Sequence, residues 1–438
     1  MEVSRRKFLG TSAAAVIVAG SMAKGKVFGA NDRIRVATIG FNGQGGSHIR
    51  NFCERQDTEL VALCDVDKSV IERKLAEIKD KYNITPANTY TDMRDLFAND
   101  NVDAVSIATP NHWHSLAAIW ACQAGKDVYV EKPLSHNVWE GRQLVQAARK
   151  NGRMVQHGTQ SRSNAEIMRD IALINKGFLG DICHSRGYVY KNGNRRSIGH
   201  GKPATPPANL DWNLWQGPAT QSDYMARDDG SGLFVHYNWH WVWPYGNGEI
   251  GNQGVHEMDI AVWTHNRGLP VRVYSSGGRY AWDDDATTPN TQASIFTYAD
   301  GSMMTFEVRN LGSFPEGGDN DCSNSCFGAN GYWVRNKGFF DYKKTPITLE
   351  GDNAQTPPTD GPIGNWLNAI RARDEKFLTA GPDIGHISCV HCHIGNIAFR
   401  LGRSLEFDPA TEKFVNDAEA NAMLTREYRE PFIVPDLS

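Results

Sequence analysis

The sequence has no long apolar run in its mature part, no excess of one charge and few cysteines. Its 438 residues carry 46 basic and 50 acidic side chains, for a formal net charge of −4. Nucleic acid or anionic lipid would need a basic surface, so neither is an expected partner. Eight cysteines in so long a chain do not make a dense disulfide framework. The composition predicts a soluble protein with a small-molecule ligand and no membrane span after signal removal.

The first 30 residues have the layout of an export signal. Arg5 and Arg6 precede Phe8 and Leu9, and the short apolar stretch TSAAAVIVAGSMA follows. Paired arginines before such a stretch are typical of bacterial twin-arginine signals, which carry folded proteins out of the cytoplasm. We therefore expect residues 1–30 to be a signal peptide and the mature protein to be periplasmic.

Residues 31–158 alternate short β-branched runs with helical stretches. The strand candidates are RIRVATIG, ELVALCDVD, VDAVSIATP, DVYVEKP and GRMVQHGTQ. Continuous apolar runs are typical of parallel strands covered on both faces. Helices are predicted between them, over 45–55, 69–81, 92–99, 111–124 and 137–151. This part is predicted to be a doubly wound parallel sheet of the Rossmann type.

Residues 159–438 have longer strands and fewer helices. The strand candidates ICHSRGYVYK, VRVYSSGGRYAW, TQASIFTYADG and SMMTFEVRN are separated by Gly, Pro and Asn clusters, which indicates an open, mainly antiparallel sheet. Helices are predicted over 255–266 and 386–403. The fold class is therefore α/β followed by α+β, with one domain over 31–158 and a second over 159–438.

A glycine-rich turn follows the first strand candidate and opens the first helix. In VATIGFNGQGGSHI, Gly40 and Gly45 match the G-x-G-x-x-G pattern of dinucleotide sites, whereas Asn42 replaces the middle glycine. Asn tolerates positive φ, and Gly43 and Gln44 follow, so the turn can still present N–H groups to phosphate. A tight turn that binds no nucleotide is the alternative.

Asp65 ends the second strand candidate, twenty residues after Gly45. A carboxylate at this position accepts hydrogen bonds from a ribose diol. No arginine follows directly to hold a 2′-phosphate, so the sequence predicts NAD rather than NADP.

Two groups of cysteines allow more than one interpretation. The run CVHCH, from Cys389 to His393, spells a haem-attachment pattern, but it continues into IGNIAFRLGR, which has the pattern of an amphipathic helix. No distant second pair completes a zinc site, so we expect a packed helix and no metal. Cys322 and Cys326 are compatible either with a disulfide or with two free thiols.

Two short motifs and four longer segments stand out in the mature chain. The motifs are TPNHWH and EKP, and the segments are LDWNLWQGP, GNQGVHEMDIAVW, CHIGNIAFRLGR and REYREPF. Together they resemble the Gfo/Idh/MocA family of glucose-fructose oxidoreductase and inositol dehydrogenase, in its exported Bacteroidetes-type branch. The resemblance implies cofactor contacts from Thr109, Pro110, Asn111, His114 and Glu131.

The resemblance also implies a catalytic pair. Lys132 of EKP is expected beside the nicotinamide and the reacting hydroxyl, and His256 is the expected general base. The family places Asp four residues before this His, on one helix face, where this chain has Asn252. An amide cannot take up a proton, so Asp259 is a candidate to supply the missing charge. A solvated Lys132 and a buried, hydrogen-bonded His256 are the alternatives.

Aromatic and polar side chains surround the predicted base in sequence. Trp239, His240 and Trp241 lie within HYNWHWVWPYGNGEIGNQGVHEMD. Rings beside amides and imidazoles suit the C–H faces and hydroxyls of a sugar. Gln160 and Arg162 are expected to add polar contacts. An interface or core cluster is the alternative, because members of the resembled family often form homo-oligomers through their sheets.

These features predict an NAD-dependent oxidoreductase that acts on a sugar or glycoside hydroxyl. Free NAD is scarce outside the cytoplasm, so an exported enzyme is expected to carry its cofactor and recycle it within one site. A glycosidase working by oxidation, elimination, addition and reduction is one alternative. A sugar-binding protein with impaired catalysis, suggested by Asn42 and Asn252, is another.

Overall fold

The structure is a computed structural model that describes residues 32–191, 197–311 and 321–437. The predicted signal peptide, residues 1–30, lies outside the described residues. Within them, the chain forms a six-stranded sheet, a ten-stranded sheet and a two-stranded sheet.

The first sheet contains six parallel strands with helices between them. The strands are β1 (Ile34–Ile39), β2 (Thr58–Cys64), β3 (Asn88–Tyr90), β4 (Ala104–Ile107), β5 (Asp127–Val130) and β6 (Val155–His157). The helices are α1 (Gly45–Glu54), α2 (Lys68–Tyr82), α3 (Met93–Phe97), α4 (Asn111–Gln123) and α5 (Val138–Asn151). The strand order β3-β2-β1-β4-β5-β6 is that of a Rossmann sheet, as predicted. The short edge strand β3 was not predicted, because its three residues carry no apolar run.

The helices of this domain begin and end where the local chemistry favours it. Asp67 caps α2 by accepting a hydrogen bond from the backbone N–H of Ser69, and Asn137 caps α5 in the same way toward Glu140. Gly152, with φ of 57°, ends α5 in the left-handed conformation. Because the helices begin and end at these residues, the loops that follow the strands lie together along one edge of the sheet.

The second sheet is open and mainly antiparallel, as predicted. The strands of this part are β7 (Ile182–Val189), β8 (Lys202–Ala204), β9 (Tyr224–Ala226), β10 (Arg272–Gly278), β11 (Thr291–Thr297), β12 (Met303–Arg309), β13 (Cys322–Gly328), β14 (Gly331–Val334), β15 (Gly338–Phe340), β16 (Pro346–Ile347), β17 (Leu405–Asp408) and β18 (Lys413–Phe414). Ten of them follow the order β16-β15-β14-β13-β7-β12-β11-β10-β17-β18, and β8 pairs with β9 separately. Strands β7 and β12 run parallel, while the other neighbours in the large sheet are antiparallel.

The helices of this part are α6 (Ala165–Asn175), α7 (Trp212–Gln216), α8 (Gly248–Gly251), α9 (Gly254–His265), α10 (Gly361–Ala372), α11 (Pro382–Leu401) and α12 (Ala418–Ala422). Helices α9 and α11 pack against the large sheet. Helix α11 contains the CVHCH run, and the prediction of a packed helix is confirmed: Cys389 and Cys392 are fully buried. The ring of His391 shares a 3.0 Å hydrogen bond with the hydroxyl of Tyr298, and that of His393 a 3.1 Å bond with Ser135.

Cys322 and Cys326 do not form a disulfide, and both are free thiols. They lie four residues apart on the single strand β13, which separates their Cα atoms by roughly 13 Å. A disulfide requires Cα atoms within about 7 Å. The free-thiol interpretation is therefore correct.

One helix from the second half of the chain completes the core of the first. Trp366 of α10 is fully buried, with its ring centroid 6.4 Å from that of Phe52 and 5.8 Å from that of Tyr129. Its indole N–H donates to the carbonyl of Met154 at 3.1 Å. The two domains therefore share packing well beyond the single chain crossing near residue 158.

Among the described residues, none of the helices combines the length and the apolar character that crossing a bilayer requires.

The shared packing at α10 gives a stability prediction. Trp366→Ala removes a fully buried indole and its hydrogen bond, so we expect the free energy of unfolding to fall by about 3–5 kcal/mol. Denaturant titration followed by circular dichroism measures this change. Tyr280→Ala, at a residue that is 51% exposed, is the control and should change stability by less than about 0.5 kcal/mol. Equal effects of the two substitutions would contradict the packing described.

Candidate active site

A cleft of about 410 Å³ runs along the carboxyl ends of the first sheet and faces the second domain. Parallel sheets of this order bind ligands at that edge. The predicted site residues that line the cleft are Gly40, Asn42, Gly43, Gln44, Asp65, Thr109, Pro110, His114, Glu131, Lys132, Gln160, Trp239, His240, Asn252 and His256. Five predicted residues lie outside the lining: Gly45, Asn111, Arg162, Trp241 and Asp259.

The glycine turn between β1 and α1 allows backbone segments to pack very closely. Gly40 has φ of 74°, and a Cβ atom there would lie 2.9 Å from the backbone nitrogen of Thr109. A Cβ atom on Gly45 would lie 2.1 Å from the carbonyl oxygen of Gly40. Asn42, at the position of the missing glycine, accepts a hydrogen bond from the guanidinium of Arg73. The turn thus sits at the start of a helix and lines the cleft, an arrangement that suits a phosphate group.

Asp65 follows β2 and also faces the cleft. Its two carboxylate oxygens accept hydrogen bonds from the backbone N–H groups of Phe41 and Asp67, each at 3.1 Å. Burial raises the pKa of Asp65 to about 6, although these hydrogen bonds oppose the shift. The carboxylate is therefore tied to the glycine turn while it retains acceptor capacity for a ribose diol.

Other polar groups near the turn also fit a dinucleotide. The hydroxyl oxygen of Thr109, which lines the cleft, is buried and has no hydrogen-bond partner among the described residues. The side-chain oxygen of Asn111, just outside the lining, is in the same state. Buried polar atoms of this kind are uncommon unless a ligand or water satisfies them. With Gly40 and Asp65, they make a site whose shape and donor set fit NAD.

Lys132 follows β5 and joins the two domains at the cleft. Its ammonium group donates to the backbone carbonyl of Asn252 at 3.3 Å and to the side-chain oxygen of the same residue at 3.4 Å. The side chain is half-buried. It therefore points across the cleft toward the second domain, and the solvated alternative is excluded.

Glu131 holds a buried negative charge directly beneath Lys132. One of its oxygens lies 3.1 Å from the ring nitrogen Nε2 of His48, and the other accepts the backbone N–H of Lys132 at 3.1 Å. Burial alone would raise the pKa of Glu131, but the His48 hydrogen bond and the nearby positive charges lower it to about 2. His48, on the buried face of α1, was not predicted, because nothing in the sequence links it to a residue 83 positions away.

His256 lines the cleft from the second domain. It lies in the first turn of α9 and is half-buried, and none of the described residues forms a hydrogen bond with its ring. Burial and the positive charge of Lys132 lower its pKa to about 3. The imidazole is therefore neutral at physiological pH and open to a ligand, unlike the buried, hydrogen-bonded alternative.

Asn252 lies at a break before α9, which corrects the expectation that it shares one helix face with His256. It ends the short helix α8 with φ of −86° and ψ of −93°, and α9 begins two residues later, at Gly254. Both residues nevertheless line the cleft. The turn between the helices gives Asn252 its contact with Lys132.

Asp259 and Arg162 bind each other behind the cleft, which corrects two further expectations. Both oxygens of the fully buried Asp259 accept the guanidinium Nε of Arg162, at 2.9 and 2.8 Å, and one also accepts the hydroxyl of Ser388 at 2.7 Å. The guanidinium of Arg162 also lies 4.5 Å from the ring centre of Trp263. Asp259 therefore neutralises a buried arginine, and neither residue is available to a ligand in the cleft.

The aromatic cluster is divided between the cleft and the core. The rings of Trp239 and His240 line the cleft and are stacked, with centroids 3.6 Å apart. Trp241 is buried away from the cleft, so its expected contact with substrate is not supported. The cleft also contains residues that the sequence did not indicate, namely Leu210, Trp215, His236, Tyr237 and Gln253.

His114 holds two cleft loops together. Its ring nitrogens lie 2.6 Å from the carbonyl oxygen of Pro133 and 2.7 Å from that of Thr109. The loops after β4 and β5 are thereby fixed to each other, which positions Lys132 relative to the glycine turn.

Two family models match most of the chain. One, described as an oxidoreductase family with an NAD-binding Rossmann fold, matches residues 34–159. The other, described as an oxidoreductase family C-terminal alpha/beta domain, matches residues 173–434.

Known proteins similar in sequence are named glycosyl hydrolase family 109 proteins. The protein of Shewanella sp. (strain W3-18-1) is 33% identical over 168 residues, which cover 36% of this chain and 36% of that protein. The protein of Shewanella pealeana is 29% identical over 218 residues, which cover 44% of this chain and 47% of that protein. The chain therefore spans less than half the length of the curated relatives that it matches.

Solved structures share the fold at lower identity. The WlbA dehydrogenase from Bordetella pertussis, in complex with NADH and UDP-GlcNAcA, superposes with a TM-score of 0.63 at 18% identity, covering 86% of this chain and 99% of that one. GenD2 from gentamicin A biosynthesis, in complex with NAD, gives a TM-score of 0.60 at 19% identity, covering 86% and 97%.

The position of Asp65 gives a cofactor prediction. Asp65→Ala removes a charged acceptor, so we expect the Kd for NAD to rise about 10–100-fold and the preference for NAD over NADP to shrink. In the unsubstituted protein, NAD affinity should fall as pH drops below about 6, where the raised pKa lets Asp65 take up a proton. The variant should lack this step. Calorimetric titration of nucleotide-free protein measures the Kd for NAD, the preference for NAD over NADP and the pH dependence of binding.

Asp80→Ala, at an exposed position of α2, is the matched control and should bind NAD unchanged. An Asp65→Ala variant with unaltered affinity and unaltered pH dependence would remove Asp65 from the cofactor site.

Proposed function

The chain belongs to the Gfo/Idh/MocA oxidoreductase family, and on that basis we propose that it is an NAD-dependent enzyme acting on a hydroxyl group of a sugar or glycoside. One observation carries the proposal: Lys132 from the first domain and His256 from the second line the same cleft as the glycine turn and Asp65. A cofactor site and a proton-handling pair thus share one enclosed space.

NAD bound in the cleft supplies the group that takes a hydride from a carbon atom and can return it. The chain's own residues handle the proton of the same hydroxyl. The neutral imidazole of His256 accepts it, and the ammonium group of Lys132 donates a hydrogen bond that stabilises negative charge on the oxygen. Glu131 keeps its charge at any physiological pH and holds the backbone of Lys132 in place.

The stacked pair Trp239 and His240 and the amide of Gln160 give the cleft the mixed character that suits a sugar. Ring faces bind C–H surfaces, while the amide and imidazole groups pair with hydroxyls. Similar proteins support the same class of substrate: the WlbA dehydrogenase was solved in complex with UDP-GlcNAcA, and the family 109 proteins are named glycosyl hydrolases.

We further propose that the enzyme is exported by its twin-arginine segment and keeps its NAD through the catalytic cycle. An enzyme in a compartment without a nicotinamide supply cannot exchange its cofactor at each turnover. Bound NAD must then return to its starting redox state by reducing the same or another sugar.

The names of the family 109 relatives favour a second candidate function, net hydrolysis of a glycoside. Oxidation of one hydroxyl to a ketone acidifies the neighbouring C–H bond, loss of that proton expels the glycosidic group, and water adds to the double bond. Reduction of the ketone then restores the sugar. The net reaction consumes only water.

A labelling experiment separates these functions. A panel of p-nitrophenyl glycosides is incubated in D₂O, without added NAD. Hydrolysis by elimination and addition predicts release of nitrophenol and one deuterium on the sugar carbon between the anomeric carbon and the oxidised carbon, measured by NMR. An oxidoreductase without hydrolysis predicts a keto-sugar that forms only when a carbonyl acceptor is added.

Lys132→Met should lower either activity by at least about 100-fold, because it removes a group that contacts the reacting oxygen. Lys202→Met, at an exposed lysine of the same charge, is the control and should leave activity unchanged. A Lys132→Met variant with normal turnover, or a protein that binds glycosides but converts none, would contradict the enzymatic proposal.

We also propose that the protein forms a homo-oligomer through the outer face of its large sheet. Tyr274, Ile295 and Met303 lie on neighbouring strands of this face and are 44%, 40% and 37% exposed. Apolar side chains grouped in this way favour association.

The oligomer prediction is tested by sedimentation velocity. Ile295→Lys places a charge in the middle of the apolar face, so we expect the variant to sediment as a smaller species than the unsubstituted protein. Ile433→Lys, at an exposed position next to Phe432, which packs against Trp113 of the first domain, should leave the sedimentation coefficient unchanged. Identical behaviour of all three proteins would exclude this face as the interface.

A further inference from the structure

Residues 207–240 of the second domain extend over the cofactor side of the cleft, and we call this segment the cover. Six of its residues line the same cleft as the glycine turn and Asp65, namely Leu210, Trp215, His236, Tyr237, Trp239 and His240. The cleft is therefore bounded on one side by the Rossmann sheet and on the other by a segment from a different domain.

The cover is attached to the loop after β2, which carries Asp65. The backbone N–H of Lys68 donates to the carbonyl of Asn209 at 2.9 Å, and that of Asp211 donates to the carbonyl of Val66 at 3.0 Å. Two backbone hydrogen bonds in opposite directions make a short strand-like bridge between the domains.

Asp67 adds a side-chain latch to this bridge. One carboxylate oxygen accepts the amide of Asn209 at 2.7 Å, and the other lies 3.2 Å from the ring nitrogen Nε2 of His236. Asn209 and His236 lie near opposite ends of the cover, so one buried carboxylate holds both. Burial alone would raise the pKa of Asp67, but its hydrogen bonds lower it, so the latch is charged at neutral pH.

A second attachment lies on the other side of the glycine turn, at the start of α4. The indole N–H of Trp113 faces the carbonyl oxygens of Leu214 and Trp215, at 3.0 and 3.1 Å. The ring nitrogen Nε2 of His112 lies 2.9 Å from the same carbonyl of Trp215. A Cβ atom at Gly217 would lie 2.1 Å from the Trp113 ring, so the cover and α4 are in direct contact.

The cover is packed as well as attached. Leu210, Trp215, Tyr224 and Trp239 belong to one buried cluster, against which Val66 of the first domain packs. An internally packed segment moves as a unit. Opening the cleft on this side therefore requires breaking an attachment rather than displacing a loose loop.

We propose that the cover is a cofactor-retaining element of the NAD site and that its release from Asp67 limits the exchange of bound NAD. This proposal rests on the proposed function only in that NAD occupies the cleft. In this role, Asn209 and His236 hold the cover closed over the cofactor. Both residues belong to the second domain and lie outside the Rossmann fold.

The test measures how fast bound NAD exchanges. Holoenzyme is loaded with isotopically labelled NAD and diluted into excess unlabelled NAD, and the label that stays with the protein is followed by desalting and mass spectrometry. The variant Asn209→Ala/His236→Ala removes both side-chain contacts of the latch and leaves Asp67 intact. We expect exchange at least about 10-fold faster than in the unsubstituted protein, the effect of losing a charge-assisted hydrogen bond from the closed state.

His200→Ala is the matched control, because this histidine also pairs with an aspartate, Asp285, but lies outside the cleft. It should exchange NAD at the unsubstituted rate. If the double variant does not fold, as judged by its Tm, the single variant Asn209→Ala carries the test with a smaller expected increase.

Equal exchange rates in the latch variant, the control and the unsubstituted protein would overturn the cofactor-retaining role of the cover. The proposal of an NAD-dependent enzyme would still stand. An unsubstituted protein that contains no NAD when purified and also takes up no labelled NAD would overturn the proposed function and the role of the cover together.

Discussion

The contact between Lys132 and Asn252 is the interaction on which the site depends, because it joins two domains that have unrelated folds. The parallel sheet delivers Lys132 to its carboxyl edge, where strand ends converge. The break between α8 and α9 delivers Asn252 to the opposite wall and orients His256 beside it. The first domain supplies the cofactor loop and the lysine, and the second supplies the open imidazole of His256. Neither domain alone holds all three groups. The ammonium group meets the second domain at 3.3 Å, so the two walls of the cleft are in direct contact at this lysine.

Buried charges stabilise this junction from both sides. Beneath Lys132, Glu131 is paired with His48, so the lysine backbone rests on a carboxylate that stays ionised. Behind His256, Asp259 is paired with Arg162, so the helix that carries His256 is anchored by a buried ion pair. Buried pairs of this kind cost desolvation energy but are strongly destabilising to break. These contacts fix the positions of Lys132 and His256 at the junction.

Much of the fold and the cofactor half of the site were predictable because their signals are local. Apolar runs separated by caps define the strands and helices of the first domain, and Gly40 and Asp65 each lie directly after a strand. The substrate half was predicted less well. Helix α9 is buried on nearly every side, so its periodicity could not show that His256 faces the cleft while Asp259 faces the core. The pairs Glu131 with His48 and Asp67 with His236 join residues 83 and 169 positions apart, and no pattern in a single sequence connects them.

We propose that a dinucleotide enclosed between the sheet and the second domain behaves as a prosthetic group, a property that an exported nicotinamide enzyme would need. Mass spectrometry of the compounds released when the purified mature protein is heat-denatured tests this claim most directly. The account predicts close to one NAD or NADH per chain, without any nucleotide added during purification. Folded protein that releases no adenine nucleotide and takes up none when NAD is supplied would contradict it.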